Sequence, residues 1–125
     1  MRDRSFAWIV GGVILVLFAP AAIAAPGYQS FLVGNPADVV TPTTGLWVMQ
    51  GGGTDVDENF VRMGAASGGG DFVVIRFFGT DAYNQYILDL CNCDSVETIV
   101  FKQKSAVTNP TVINKIRNAK ALFIA

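Results

Sequence analysis

Three consecutive glycines, Gly51 to Gly53, lead into Asp55, Asp57 and Glu58. A glycine-rich turn before a helix exposes backbone N–H groups that can cradle a phosphate. Here the spaced third glycine of GxGxxG and the lysine of GxxxxGK[ST] are both missing. A phosphate would also meet three carboxylates of like charge, which argues against a nucleotide cofactor. Two readings remain: glycines that merely permit a tight turn, or bare backbone lining a cleft for a polar or cationic substrate. "GTDAYN" supplies a second group, Thr80, Asp81 and Tyr83, although Thr80 and Asp81 could equally cap the following helix. Gly52, Gly53, Asp55, Thr80 and Asp81 are the candidate substrate-cleft residues.

The rest of the inventory restricts the chemistry. The chain contains no histidine, so every acid/base scheme that depends on imidazole is excluded within these residues. Ser30, Ser67, Ser95 and Ser105 are not set in a Gly-x-Ser-x-Gly elbow, and no catalytic residue is assigned. Cys91 and Cys93 stand one residue apart in "LCNCDS". That spacing disfavours a mutual disulfide, and without further cysteines or histidines the pair cannot complete a four-ligand metal site. Free thiols are expected, with bonding to cysteines of another chain as the alternative if the protein is exported. No metal or cofactor is expected.

These residues need elements to position them, and the chain divides into three parts. Arg2 and Arg4 precede an uncharged stretch, Phe6 to Ala25, that holds "AWIVGGVILVLFA", Pro20 and "AAIAA". Residues 1–24 therefore read as a signal peptide cleaved after Ala24, which would make the protein secreted or periplasmic. A membrane anchor over residues 6–25 is the alternative, since that stretch is about long enough to span a bilayer. Removing Arg2, Asp3 and Arg4 from nine basic and ten acidic residues leaves seven and nine, a net charge of −2. No basic patch remains to attract nucleic acid.

Residues 25–45 carry Pro26, Pro36 and Pro42 and read as an N-terminal arm with a short edge strand at "SFLV". Residues 46–125 then alternate. "LWVMQ", "FVVIRFF", "SVETIVF" and "ALFIA" have the length and composition of strands. Between them lie three helices. The first is capped by Thr54 or Asp55 and turns Val56, Phe60 and Met63 inward. The second carries Tyr83, Tyr86, Ile87 and Leu90. The third is opened by Asn109 and Pro110 and buries Val112, Ile113 and Ile116. Such alternation predicts an α/β fold with a parallel, doubly wound, flavodoxin-like sheet. Ligands of such sheets bind beyond the carboxyl ends of the strands, where "GGGTD", "GTDAY" and "KQKSA" fall.

"LWVMQGGGTDVDENF", "SGGGDFVVIRFFGTDAYNQYI", "DSVETIVF" and "NPTVINKIRNAKALFIA" together resemble the first half of the cyanophycinase-like serine exopeptidases, over roughly Gly34 to Ala125. That family is similar in fold to the class I glutamine amidotransferases. The resemblance implies a nucleophile elbow with a serine in a Gly-Thr-Ser-Ala-Gly-like motif, a catalytic histidine and an oxyanion-hole glycine. All three are expected after Ala125, with the fourth strand running into a Gly-Gly-Asp-Gln or Gly-Gly-Asn-Gln segment. It also implies a peptide substrate with a β-linked aspartyl group. The expectation is thus the N-terminal fragment of an exported peptidase, its sheet incomplete at the C-terminus and inactive alone. A non-catalytic secreted binding module is the alternative. The oligomeric state is open.

Overall fold

The computed structural model describes residues 26–125, so the expected leader, its cleavage site and the alternative span of residues 6–25 lie outside the described part. No helix among the described residues is long and apolar enough to cross a membrane. The elements are β1 (Tyr28–Gly34), α1 (Asp57–Ala66), β2 (Phe72–Arg76), α2 (Asn84–Cys91), β3 (Ser95–Phe101), α3 (Pro110–Asn118) and β4 (Ala121–Ile124), with a 3₁₀ turn at Lys104–Thr108. They form an α/β domain around one open four-stranded sheet of order β1-β3-β2-β4.

The sheet is mixed, and this corrects the expectation of an all-parallel one. β2 pairs in parallel with both β3 and β4, whereas β1 runs antiparallel along β3, Tyr28 opposite Phe101 and Gly34 opposite Ser95. The cause lies in the arm. β1 precedes every helix and reaches the edge of β3 directly, so no crossover constrains it to be parallel. The arm is held further along by Asp71, whose Oδ2 accepts from the Val39 amide at 2.9 Å. Asp71 Oδ1 accepts from Ser95 Oγ at 2.7 Å, so this buried carboxylate also joins the starts of β2 and β3.

Side-chain alternation along β2 and β3 separates two cores. On one face Phe72, Val74 and Val96 pack with Phe60 of α1 and Ile87 and Cys91 of α2. On the other face Val73 and Ile99 pack with Val112 of α3. β3 is buried along nearly its whole length, as expected of a strand covered on both faces. Asn84, at the start of α2, accepts from Thr98 Oγ1 at 2.6 Å and donates to the Phe31 carbonyl at 2.8 Å, joining the helix to β3 and β1.

The third helix follows the sequence closely. Asn109 accepts from the Thr111 amide at 2.9 Å and Pro110 opens the first turn. Its inward face is narrower than expected, with Val112 buried and Ile113 and Ile116 half-buried. α1 ends at "SGGGD", where Gly68 and Gly69 adopt φ of +64° and +72°, a left-handed region that glycine enters without a Cβ penalty.

Four expectations fail for identifiable reasons. "LWVMQ" forms no strand: residues 46–50 are coil and, among the described residues, have no ladder partner. The strand positions on either side of β2 are taken by β3 and β4, so this run is left beyond the sheet. The helix after the glycines begins one or two residues later than expected, still with Asp57 and Glu58 in its first turn. Its N-cap is Val56, with no side-chain cap, because Asp55 turns to another partner described below. Val56 is consequently exposed rather than inward. β2 stops at Arg76, leaving Phe77 and Phe78 mostly exposed, with Phe77 resting 5.9 Å from Phe101.

Finally, Cys91 and Cys93 are joined to each other and are not free thiols. Between them Asn92 ends α2 in the left-handed conformation, φ 50° and ψ 41°. That turn folds the chain back and brings the two Cα atoms to 5.2 Å, within the span a disulfide bridges.

Candidate functional site

The parallel strands β2 and β3 end on one side of the domain, and the two loops singled out in the sequence meet there. Asp55 Oδ2 accepts a hydrogen bond from Tyr83 Oη at 3.0 Å. One turn further on, Asp57 Oδ1 accepts from Tyr86 Oη at 2.5 Å. The acidic turn after Gly53 is thereby tied to the two tyrosines of the segment after β2. The guanidinium of Arg76, the last residue of β2, lies 5.0 Å from the centre of the Tyr83 ring, within reach of a cation–π contact. Arg76 Nη1 also donates to the Thr80 carbonyl at 3.3 Å.

These contacts set the charge state of the rim. Burial, then the hydrogen bond to Asp55 and its negative charge, push the Tyr83 phenol up, while Arg76 opposes them. The hydrogen bond to Asp57 is the main cause that pushes Tyr86 up to about 12. Both tyrosines are thus neutral donors at ordinary pH, unsuited to act as bases. A proton held more tightly in the folded state stabilises it below the unfolded pKa near 10. That contribution is lost as pH rises from about 10 through about 12. In an ultraviolet titration at 295 nm one phenolate is expected to appear near pH 12, and Tyr86→Phe to remove that step. A single step near 10 for all tyrosines would show that the Asp57 contact does not persist in solution.

The sequence-named residues are placed as follows. Asp55 is drawn into the network through Tyr83. Thr80 and Asp81 are exposed in the loop after β2, contributing carbonyls to Arg76 and to the Asn84 amide respectively. Neither supplies the side-chain cap weighed from the sequence. Gly52 and Gly53 are exposed, and a Cβ built at either would meet nothing within 4 Å. Crowding therefore does not require glycine here; the bare backbone faces open space, and no side chain of the network reaches it.

Sequence reasoning missed a second polar group on the opposite face of the sheet. Glu97 of β3 is buried and takes Lys115 Nζ of α3 on Oε2 at 2.7 Å, while Ser30 Oγ of β1 donates to Oε1. The signal was present: a carboxylate in the middle of "SVETIVF" must find partners if that strand is covered on both sides. Its two oxygens are both engaged, so it holds three elements together. Beside it a polar cavity of about 40 Å³ is lined by Asp38, Asp71, Ser95, Glu97 and Lys115, room for little more than a water molecule. Of the other serines considered, Ser67 donates to the Gly64 carbonyl, Ser95 to Asp71 and Ser105 to Gln103. Among the described residues no group of three histidine, cysteine or acidic side chains could hold a metal ion.

A larger hollow, about 560 Å³, lies beside β4, between residues 44–50 on one side and Met63, Leu122, Phe123 and Ile124 on the other. It is mostly apolar, in contrast to the charged rim. Comparison with protein families, curated proteins and solved structures gave no match. Geometry alone therefore defines two surfaces: a rim of neutral tyrosines, one arginine and exposed carboxylates, and an apolar hollow along β4.

Proposed function

We propose that this chain forms the N-terminal, substrate-side part of an exported serine-type exopeptidase of the cyanophycinase-like kind, acting on β-aspartyl or related peptides. On this reading the sheet is the beginning of a doubly wound, class I glutamine amidotransferase-like one. Its nucleophile elbow, histidine and oxyanion-hole glycine would be supplied by polypeptide following Ala125, and residues 26–125 alone would hydrolyse nothing. The observation that carries the reading is the Asp55–Tyr83 hydrogen bond. It brings the acidic turn after Gly53 against the loop holding Thr80 and Asp81, at the carboxyl end of a parallel strand, where substrate crevices of α/β sheets lie. Exposed Asp57, Glu58 and Asp81 would favour a cationic side chain on the peptide.

Two measurements test it together. The chain should release no product from β-aspartyl-arginine and should not react with serine-directed covalent reagents. The coding DNA after Ala125 should continue in frame into a Gly-Gly-[Asn/Asp]-Gln segment and a Ser-Ala-Gly elbow. Turnover by the chain alone would sink the proposal, and so would downstream DNA without that segment. A non-catalytic binding module is the second reading, favoured by the 560 Å³ apolar hollow beside β4. It predicts a stable monomer that binds an apolar ligand stoichiometrically without the downstream residues.

A further inference from the structure

Among the described residues β4 has an unpaired edge, and it lines the apolar hollow together with the coil segment Leu46–Gln50. We infer that this segment is a strap that docks on β4 as a fifth, parallel strand and closes the hollow. The inference is independent of the peptidase reading.

Four observations converge on it. First, among the described residues β4 pairs with β2 on one side only. The amides of Ala121 and Ala125 donate to Asp71 and Ile75 carbonyls next to β2, so by strand alternation those of Leu122 and Ile124 point to the unpaired edge. Such a row of free donors and acceptors is a template for another strand.

Second, the strap already shows strand periodicity. Trp47 and Met49 are each 97% exposed, whereas Val48 and Gln50 are half-buried. On β4, Phe123 packs toward Phe60, which leaves Leu122 and Ile124 on the opposite face, both exposed. Docking with Val48 toward α1 would set Trp47 and Met49 beside Leu122 and Ile124. Each pair would then cover the other's apolar surface.

Third, the direction is correct. The Thr44 amide is held by the Ala66 carbonyl at the end of α1, at 2.8 Å. Gln50 Oε1 accepts from Asn59 Nδ2 near the start of the same helix, at 2.9 Å. The strap therefore runs opposite to α1, the sense expected of a parallel strand joined to β2 by a helical crossover. A strap-α1-β2 unit would keep its helix on the face that α2 occupies and would step across the sheet in the same direction as β2-α2-β3. It would thus share that unit's hand, as parallel crossovers do.

Fourth, the strap lies between Gly45 and Gly51, where an added Cβ would meet nothing within 4 Å. Backbone freedom at these positions lets residues 46–50 move as a piece. Closure would carry Gly51 to Gly53 to the carboxyl edge of the enlarged sheet.

Amide hydrogen exchange on the full chain reads the docked state directly at Leu122 and Ile124. Both should be protected in the wild type. Successive strap amides point to opposite sides, so either Val48→Pro or Met49→Pro removes a ladder donor. That variant should lose protection at both residues by roughly tenfold or more, with Ile99 in the core unaffected. Unprotected amides in the wild type would overturn the inference, as would protection that neither variant reduces. Protection that rises with protein concentration would overturn it in favour of a second copy on the same edge. Should both proline variants disturb Ile99, Trp8→Phe leaves Trp47 as the one tryptophan. Its emission should then be blue-shifted relative to free indole, and an unshifted emission would equally overturn the inference.

Discussion

Replacing Gly64 with alanine is expected to destabilise the domain by about 2 kcal/mol or more, although alanine is the better helix former. Gly64 sits in the last turn of α1, buried against the end of α2. A methyl group there would overlap the carbonyl oxygen, Cα and Cβ of Cys91. These are backbone atoms and the root of a side chain, and Cys91 is further held by its bond to Cys93, so it cannot swing aside. The competing term is propensity: glycine to alanine inside a helix gains about 1 kcal/mol. Overpacking costs typically about 1–3 kcal/mol and more against rigid neighbours, so the overlap wins. Urea unfolding followed by circular dichroism decides the matter through the midpoint at constant slope. A Gly64→Ala protein more stable than the wild type would mean that α1 and α2 are less closely apposed than described.

Phe60→Ala should be the most damaging single truncation, at about 3–5 kcal/mol. Phe60 is fully buried and its ring contacts three others: Phe123 at 5.1 Å, Tyr86 at 5.5 Å and Phe72 at 6.5 Å between centroids. Two of these are edge-on, the arrangement that suits the ring quadrupoles. Because Tyr86 belongs to α2, Phe72 to β2 and Phe123 to β4, one side chain connects α1 to three elements. Removing it leaves a void that none of them can fill without giving up its own packing. Phe60→Leu keeps most of the volume and should lose less than half as much. A Phe60→Ala loss below about 1 kcal/mol would contradict this packing.

Much of the site was visible from the residues alone, but not the way it is wired. The acidic turn, Tyr83 and the loop of Thr80 and Asp81 were all singled out by type and by position after strands. That Asp55 would turn to Tyr83 instead of capping α1 depends on the distance between two helices, which no local pattern encodes. The Glu97 group was missed for a similar reason. A lone carboxylate in a strand signals a need for partners, whereas naming Ser30 and Lys115 requires knowing that β1 and α3 flank β3. The Cys91–Cys93 pair turned on one left-handed residue, Asn92.

The sequence by itself determined where helices and strands could form, because the periods of 3.6 and 2 are local properties of each segment. It determined the cap at Asn109, the stop at Gly68 and Gly69, and the apolar character of β2. The tertiary structure alone decided which strands became neighbours. β1 took the open edge of β3, β4 took that of β2, and "LWVMQ", as strand-like as either, was left facing an edge it does not touch. A strand exists only when its backbone groups find a ladder partner, and that choice is made between residues far apart in the chain.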